Sequence, residues 1–454
     1  MKAIEEYVRV LGLDAYVVGG AVRDSLLGRD SKDADFLVPG VDAASLRLAL
    51  EPHGRVDELI VAGRPVGLRL YPRNGTIRAL VPAGIEFAPP RREVSTGPGR
   101  HDFEIVVDPD ATVEEDLERR DFTINAIARR LSDGTIIDPK EGRADIDART
   151  LRTVSPNSFA EDPLRLVRGL RFVSQLGFEP DAETLRQMHE EAASVALVSG
   201  ERIGGGLGAD GMGELSKLLL GTHPRRALEL ARDTGVLVAL LPEFAAAVGF
   251  DSDSPDHRMT VDDHIFAVVQ AAADAGMPLR VRLAALLHDV GKPAAALTDH
   301  AALGASLADD ALRRLRYPND LRERVVRIVR DHPFLLGDGD ALEARRLLAR
   351  HGDGLVHDII DHWQADLTGR DQSAGTAAKL ERVARFRETV GAESARPHRL
   401  ADLAIDGSDL QAVGFAPGPA LGVALATLLV AVVDEPDLNE RATLLERALE
   451  LLVP

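Results

Sequence analysis

The sequence predicts an α+β head followed by a long, almost wholly helical body, and three observations carry that prediction. Through about residue 150 short strand-like apolar runs alternate with turns and a few helices, whereas from about 155 onward apolar residues recur at helical spacing. At 454 residues the chain is too long for one core, so about three domains are expected. An apolar content of 45% is ample to fill them.

Composition narrows the function. No run of about 18 apolar residues occurs, and the first ten residues, MKAIEEYVRV, mix charges through their turns. Neither a membrane span nor a signal peptide is expected, and the cytoplasm is the default. Zero cysteines exclude disulfides and thiolate metal sites, leaving His, Asp and Glu as metal ligands. A net charge of −19 argues on average against a nucleic-acid partner. The average hides a reversal: between residues 119 and 172, 11 Lys and Arg stand against 8 Asp and Glu. That fits a limited phosphate-binding surface, and equally solvated helix faces.

Residues 16–38, YVVGGAVRDSLLGRDSKDADFLV, organise the head. Tyr16, Val17 and Val18 read as a buried strand, Gly19 and Gly20 as a turn that lets backbone N–H groups approach a ligand, and residues 21–27 as a helix ended by Gly28. A helix N-terminus after such a turn favours phosphate. Asp33 and Asp35 flank Ala34 as a second strand begins, so period-two geometry points both carboxylates to one side. Two such groups repel unless a cation sits between them. Taken alone, the stretch suits a dinucleotide or a metal.

Farther along, VGLRLY, TIRALV, GIEFA and FEIVV read as strands. Glu86 in GIEFA supplies a third carboxylate if its strand neighbours Asp35; Glu104 in FEIVV competes for that role, and a surface glutamate is the plain alternative. In EEDLERRDFTINAIARR, Phe122, Ile124, Ile127 and Ala128 suit a buried element beside Arg119, Arg120, Asp121 and Asn125. Residues 133–154 read as a hairpin or small sheet with turns at Asp133-Gly134 and Glu141-Gly142. A helix then starts with Asp162 at its N-cap and Pro163 at its first position. Leu166, Val167, Leu170 and Val173 can face a core, while Arg165, Arg168 and Arg171 recur along another flank, where forked donors match phosphates and base edges. Helical spacing continues through 183–198, 214–220, 225–240, 261–287, 307–317 and 321–330. The glycine-rich 204–213 comes after a helix and has no Lys-Ser/Thr pair, so it reads as a flexible insertion, and 250–256 reads as a junction.

Four segments in one order, GGAVRD with its DAD carboxylates, RRDFTINA, DPKEGRADIDARTLRTV and EDPLRLVRGLRF, closely resemble the class II tRNA nucleotidyltransferase and bacterial poly(A) polymerase family. ERIGGG and LLPEF extend the resemblance into the helical body. It implies a polymerase-β-like nucleotidyltransferase head over 1–150, a helical neck binding nucleotide base and tRNA over 151–250, an HD-type domain over 256–370 and a helical tail over 371–454. It also implies that Asp33 and Asp35, with Glu86, form a two-metal Mg²⁺ site for attack of an RNA 3′-hydroxyl on an α-phosphate. Gly19, Gly20 and Arg23 would hold the triphosphate, Asp121 the ribose with Arg120 and Asn125 nearby, and Asp162 and Arg165, with Arg168 close by, the base edge of CTP or ATP. The implied product is CCA at the 3′ end of tRNA, met through its acceptor arm. A CC-adding or A-adding specialist and a poly(A) polymerase share the same head motifs.

A second constellation lies downstream. His264, the adjacent His288 and Asp289, and Asp366 on successive helical segments resemble the HD superfamily of metal-dependent phosphohydrolases, with His332 in VRIVRDHP between them. The chain departs from that pattern after Lys292, where a short AAALTDHAALGA holds only His300. A divalent metal there, and hydrolysis of nucleotide or RNA phosphate esters, is the reading from a different class. The tail with its GFAPGPALG turn resembles that of CCA-adding enzymes, and the 4% aromatic content speaks against stacking platforms for long single strands.

Overall fold

Short apolar runs do become strands. In chain order they are β1 (Tyr16–Val18), β2 (Asp35–Leu37), β3 (Gly54–Val61), β4 (Arg64–Pro72), β5 (Ile85–Ala88), β6 (Arg91–Ser95), β7 (Phe103–Val107), β8 (Ala128–Arg130) and β9 (Ile136–Ile137). The computed structural model describes residues 1–30, 35–61, 64–95, 103–205, 212–251, 259–294, 300–334, 336–370 and 373–452. Asp33, most of the glycine-rich 204–213 and most of 250–256 lie outside them. The chain divides into two compact units, Met1–Pro242 and Glu243–Pro454.

In the first unit seven strands form one sheet in the order β3-β4-β5-β2-β1-β8-β9. All neighbours are antiparallel except β2 and β5, which run parallel with Asp35 opposite Glu86, Phe36 opposite Phe87 and Leu37 opposite Ala88. Phe36 and Phe87 stack at 5.5 Å, which fixes that register through the core side of the strands. FEIVV pairs with β6 in a separate two-stranded sheet, so Glu104 is not on a strand of the main sheet.

Two expectations change. TIRALV is not a strand: Gly75–Leu80 is a helix whose cap residue, Asn74, accepts from the N–H groups of Thr76 and Ile77, and that local cap outweighs the β-branched composition. Only the Asp133-Gly134 turn makes a hairpin, joining β8 to β9. At Glu141-Gly142 the chain enters the helix Gly142–Asp147, because Asp138 accepts from the N–H groups of Gly142 and Arg143 at 2.7 and 3.0 Å.

The helix after EDP runs Leu164–Leu176 and buries Leu166, Val167, Leu170 and Val173 completely. Phe122 of RRDFTINA meets Phe159 and Phe172 edge-on at 6.2 and 5.7 Å, so one aromatic cluster locks the two motifs together. Asp162 precedes the cap position, which Pro163 takes, yet its Oδ1 still accepts from the Leu164 N–H at 3.1 Å.

The second unit is helical among the described residues. The periodicity over 261–287 becomes two helices, Val261–Asp274 and Leu279–Leu287, broken where Gly276 takes a left-handed φ of 65° and Pro278 comes two residues later. His300–Arg314, Asn319–Arg330, Ala341–His351 and Asp353–Thr368 come next. Farther on, Leu410, Leu428, Val432 and Leu444 centre a smaller cluster. Among the described residues no helix is long and apolar enough to cross a membrane.

Candidate functional site

The glycine turn begins the site. Gly19 has φ 66° and ψ −129°, and a Cβ there would lie 2.7 Å from Nη1 of Arg120. Both facts put any side chain there under strain. Its N–H donates to the Ile127 carbonyl at 3.1 Å, so Gly19 supplies shape and leaves ligand-facing N–H groups to Gly20 and the residues after it. Arg23, on the helix Gly20–Leu26, donates to Asn125 Oδ1 at 2.7 Å and to Asp24.

Asp35 is exposed at the start of β2, and Glu86 is its register partner on β5. Glu86 is half-exposed and engaged by Arg69, so a cation held between the strands would compete with a guanidinium for it.

Asp121 sits at the centre of the network. It is 6% exposed and accepts from the Phe122 N–H at 2.8 Å, Asn125 Nδ2 at 3.0 Å and Arg168 Nε at 2.8 Å. Burial alone would raise its pKa, but Arg168 and these hydrogen bonds outweigh it and hold the carboxyl below the ordinary range. Arg168 also reaches Glu214 at 3.4 Å, and Glu214 receives Arg171 at 3.0 Å. Burial pushes the Arg171 guanidinium down to about 10, against the pull of Glu214. The guanidiniums of Arg23, Arg168 and Arg171 all face the Phe172 ring, at 5.2, 5.7 and 4.4 Å from its centre.

Asp162 and Arg165 do not bond each other. Asp162 receives Arg202 at 2.9 and 3.3 Å, while Arg165 donates to Glu161 at 2.8 Å, to the Ser158 carbonyl at 3.2 Å and to the Arg119 carbonyl at 2.7 Å. These bonds leave Nε–H of Arg165 and lone pairs on Asp162 for a further partner.

Asp35, Glu86, Asp121, Asp162 and the arginines line one cavity of about 530 Å³ in the first unit. Among the described residues eight arginines there face five carboxylates, an excess of three positive charges in a chain of net charge −19. Such a cavity favours a polyanion over a neutral ligand. Sequence reasoning missed Arg91 and Arg202 as members of it and Glu214 as the acid behind Arg168 and Arg171, and left Asp116 and Arg119 without a role.

In the second unit the ligand-type atoms of His264, His288 and Asp366 lie within 4.8 Å of one another, as do those of Asp289, His300 and His332. Nδ1 of His288 lies 2.9 Å from the Ala285 carbonyl and Nδ1 of His332 lies 2.6 Å from that of Val329. A carbonyl only accepts, so each Nδ1 carries hydrogen and, in the neutral ring, Nε2 holds a lone pair. That lone pair on His288 faces Asp289 Oδ2 at 3.0 Å and His264 Nε2 at 3.4 Å, an arrangement that calls for a proton or a metal. Cations already attend both acids: Lys292 Nζ is 2.6 Å from Asp289 and Arg370 Nη2 is 2.6 Å from Asp366. Burial opposes ionisation of both, yet His288 at Asp289 and His264 with Arg370 at Asp366 hold the two carboxyls well below the usual range. His362, one turn before Asp366, is fully buried with no hydrogen-bond partner on either ring nitrogen among the described residues, and burial, then His288 and His332, keep it neutral. His300 and His362 were not foreseen as members; the four-residue spacing of His362 and Asp366 on one helix was the signal for the latter.

Known proteins align with both regions. The family described as Poly A polymerase head domain matches residues 15–152, that described as probable RNA and SrmB- binding site of polymerase A matches 177–248, and the HD domain matches 261–350. The Multifunctional CCA protein of Ralstonia nicotianae is 37% identical over 357 residues, which cover 75% of this chain and 77% of that protein. That of Cupriavidus necator is 36% identical over 403 residues, covering 82% and 91%. The crystal structure of the Bacillus stearothermophilus CCA-adding enzyme in complex with CTP superposes with a TM-score of 0.65 at 26% identity over 98% of this chain and 96% of that one. The Thermotoga maritima CCA-adding enzyme complexed with tRNA shares the fold at a TM-score of 0.60 and 21% identity, over 98% and 92% of the two chains.

Proposed function

The chain belongs to the family of CCA-adding tRNA nucleotidyltransferases and bacterial poly(A) polymerases that carry an HD domain, and from that membership we propose how its cavity adds C, C and A to the 3′ end of tRNA. It takes CMP and AMP from CTP and ATP and releases pyrophosphate. The observation that carries the reading is that one cationic cavity holds Asp35 with Glu86 and also the EDxxR pair Asp162 and Arg165.

Hard oxygen donors suit Mg²⁺, and Asp35, with Asp33 and Glu86, would hold it. Held there, it would supply activation of the RNA 3′-hydroxyl as a nucleophile and neutralisation of charge on the leaving pyrophosphate. The protein's own groups bind and orient. Arg23 and Arg120, with backbone N–H groups after Gly19, hold the triphosphate, and the Arg168–Asp121–Asn125–Arg23 chain fixes the wall against the ribose. Asp162 accepts from the exocyclic amino group of cytosine or adenine, and Arg165 donates to the adjacent ring nitrogen. Uracil and guanine present a carbonyl and an N–H at those places, so the same pair leaves both mismatched.

The functional division we assign is a head over 1–150, a neck over 151–250, an HD domain over 256–370 and a tail over 371–454, with the tRNA acceptor arm as the macromolecular partner and the cytoplasm as the compartment where tRNA matures. The buried imidazole and carboxylate cluster supports a second activity in the same chain: His264, His288, Asp289 and Asp366 would bind a divalent metal and hydrolyse phosphate esters of nucleotides or RNA.

The test is extension of a tRNA that lacks CCA. CTP alone should add two nucleotides, ATP alone none, and both together CCA. Arrest at CC, or an AMP tail formed without CTP, would replace the reading by a specialist or a poly(A) polymerase; no incorporation with Mg²⁺ present would defeat it.

A further inference from the structure

Asp116 lies on the helix Val113–Glu118, just ahead of RRDFTINA, and is 1% exposed. Its Oδ1 accepts from Nε and Nη2 of Arg119 at 3.1 and 2.8 Å, and its Oδ2 from Nη2 of Arg120 at 3.0 Å. Arg91, from β6, lines the same cavity. Nε of Arg91 and Nε of Arg120 are buried and have no hydrogen-bond partner among the described residues. Among the described residues Asp116 is the carboxylate that Arg119 and Arg120 share, with Arg91 in the same cavity, so positive charge exceeds negative there and an anion is favoured. Burial, then Arg119, push Arg91 down to about 10, while Asp116 pulls the other way. Burial likewise opposes ionisation of Asp116, but Arg120 and Arg119 keep its pKa below the ordinary value.

The same short segment reaches the other end of the site. The Arg119 side chain is clamped by Asp116 while its carbonyl accepts from Nη2 of Arg165 at 2.7 Å. Arg120, clamped by the other oxygen, is the group that occupies the space beside Gly19.

We propose that Asp116 is a positioning residue that aims Arg119 and Arg120, with Arg91 beside them, at the polyphosphate of the incoming nucleotide, and that the Arg119 carbonyl passes this placement on to Arg165 at the base-reading end. The proposal rests on the nucleotidyl-transfer reading of the cavity. It separates the phosphates from the rest of the nucleotide: losing Asp116 should weaken whatever carries a diphosphate and spare what does not.

The experiment titrates the full chain and its Asp116→Asn variant with inorganic pyrophosphate and, separately, with CMP, alongside KM and kcat for CTP on a tRNA lacking CCA. The substitution keeps the size of the side chain and removes its charge. Pyrophosphate affinity should fall and KM for CTP rise by about tenfold, the loss expected for one charge-assisted contact, with CMP binding and kcat within about twofold. Asp116→Glu should recover part of the pyrophosphate affinity. Unchanged pyrophosphate binding in Asp116→Asn, or a parallel loss of CMP binding, overturns the positioning role. Should Asp116→Asn not fold, Arg119→Lys keeps a cation and the carbonyl while losing the fork onto Asp116; it should weaken pyrophosphate several-fold, and wild-type affinity there overturns the proposal. A wild-type chain that binds neither pyrophosphate nor CTP instead defeats the reading of the cavity itself.

Discussion

The head cavity and the histidine cluster of the second unit both gather charged side chains, yet they leave opposite things unfinished. In the head, among the described residues, eight arginines exceed five carboxylates, so the cavity suits a polyanion. In the second unit, Lys292 and Arg370 already attend the two acids, and the backbone pins the rings of His288 and His332 with Nε2 turned inward. That donor set suits a small cation with a taste for imidazole. Guanidinium forks suit phosphate and pinned imidazoles suit a metal, so the two regions should fail independently.

The largest effect should come from the buried Asp121 and its half-buried partner Arg168 in the head. Asp121→Ala leaves Arg168 without its main acid and is expected to destabilise the chain by about 3 kcal/mol in chemical denaturation and to abolish nucleotide addition. The pH limb comes from the same group. Its folded pKa is depressed, so its stabilisation is complete above the unfolded carboxyl value, about 3.9, and fades as pH falls below it. Asp121→Asn should flatten that acid limb. Next, Arg165→Ala should cut the preference for CMP over UMP about a hundredfold, read from competing incorporation, since a mismatched polar edge is what the pair rejects. If discrimination stays intact, Asp162 and Arg165 do not read the base. His288→Ala should weaken Mn²⁺ binding to the chain by about ten- to a hundredfold in calorimetry and leave CCA addition unaltered. The smallest effect is expected from Gly19→Ala: the new methyl meets Arg120, and KM for CTP should rise about tenfold with a small change in melting temperature.

Much of this is legible in the chain alone. GGAVRD, RRDFTINA and EDPLR stand in order along it, and the condition set for Glu86, a strand beside Asp35, is met by the parallel β2–β5 register. The HD histidines His264 and His288 announce themselves through the adjacent Asp289 and an apolar helix. The features that stayed hidden depend on pairings between distant residues. Nothing in the sequence says that Arg202 will take the carboxylate of Asp162, or that Glu214 will hold Arg168 and Arg171. Asp116 looks like one more acid in an acidic first turn, and its role emerges only when its two oxygens are seen to hold two successive arginines. TIRALV misleads because β-branched residues mark strands on average, whereas one asparagine cap decides the local outcome. His362 is easily overlooked beside Asp366 although one helical turn separates them.

The most direct test of the central claim, that nucleotide addition belongs to the head cavity alone, is extension of a tRNA lacking CCA by the wild-type chain, Asp35→Ala and His288→Ala in parallel. The account predicts CCA from the wild type and from His288→Ala, and a loss of at least about a thousandfold in Asp35→Ala, since a metal-binding carboxylate supports several kcal/mol of charge stabilisation. Addition that survives Asp35→Ala, or disappears in His288→Ala, would contradict it.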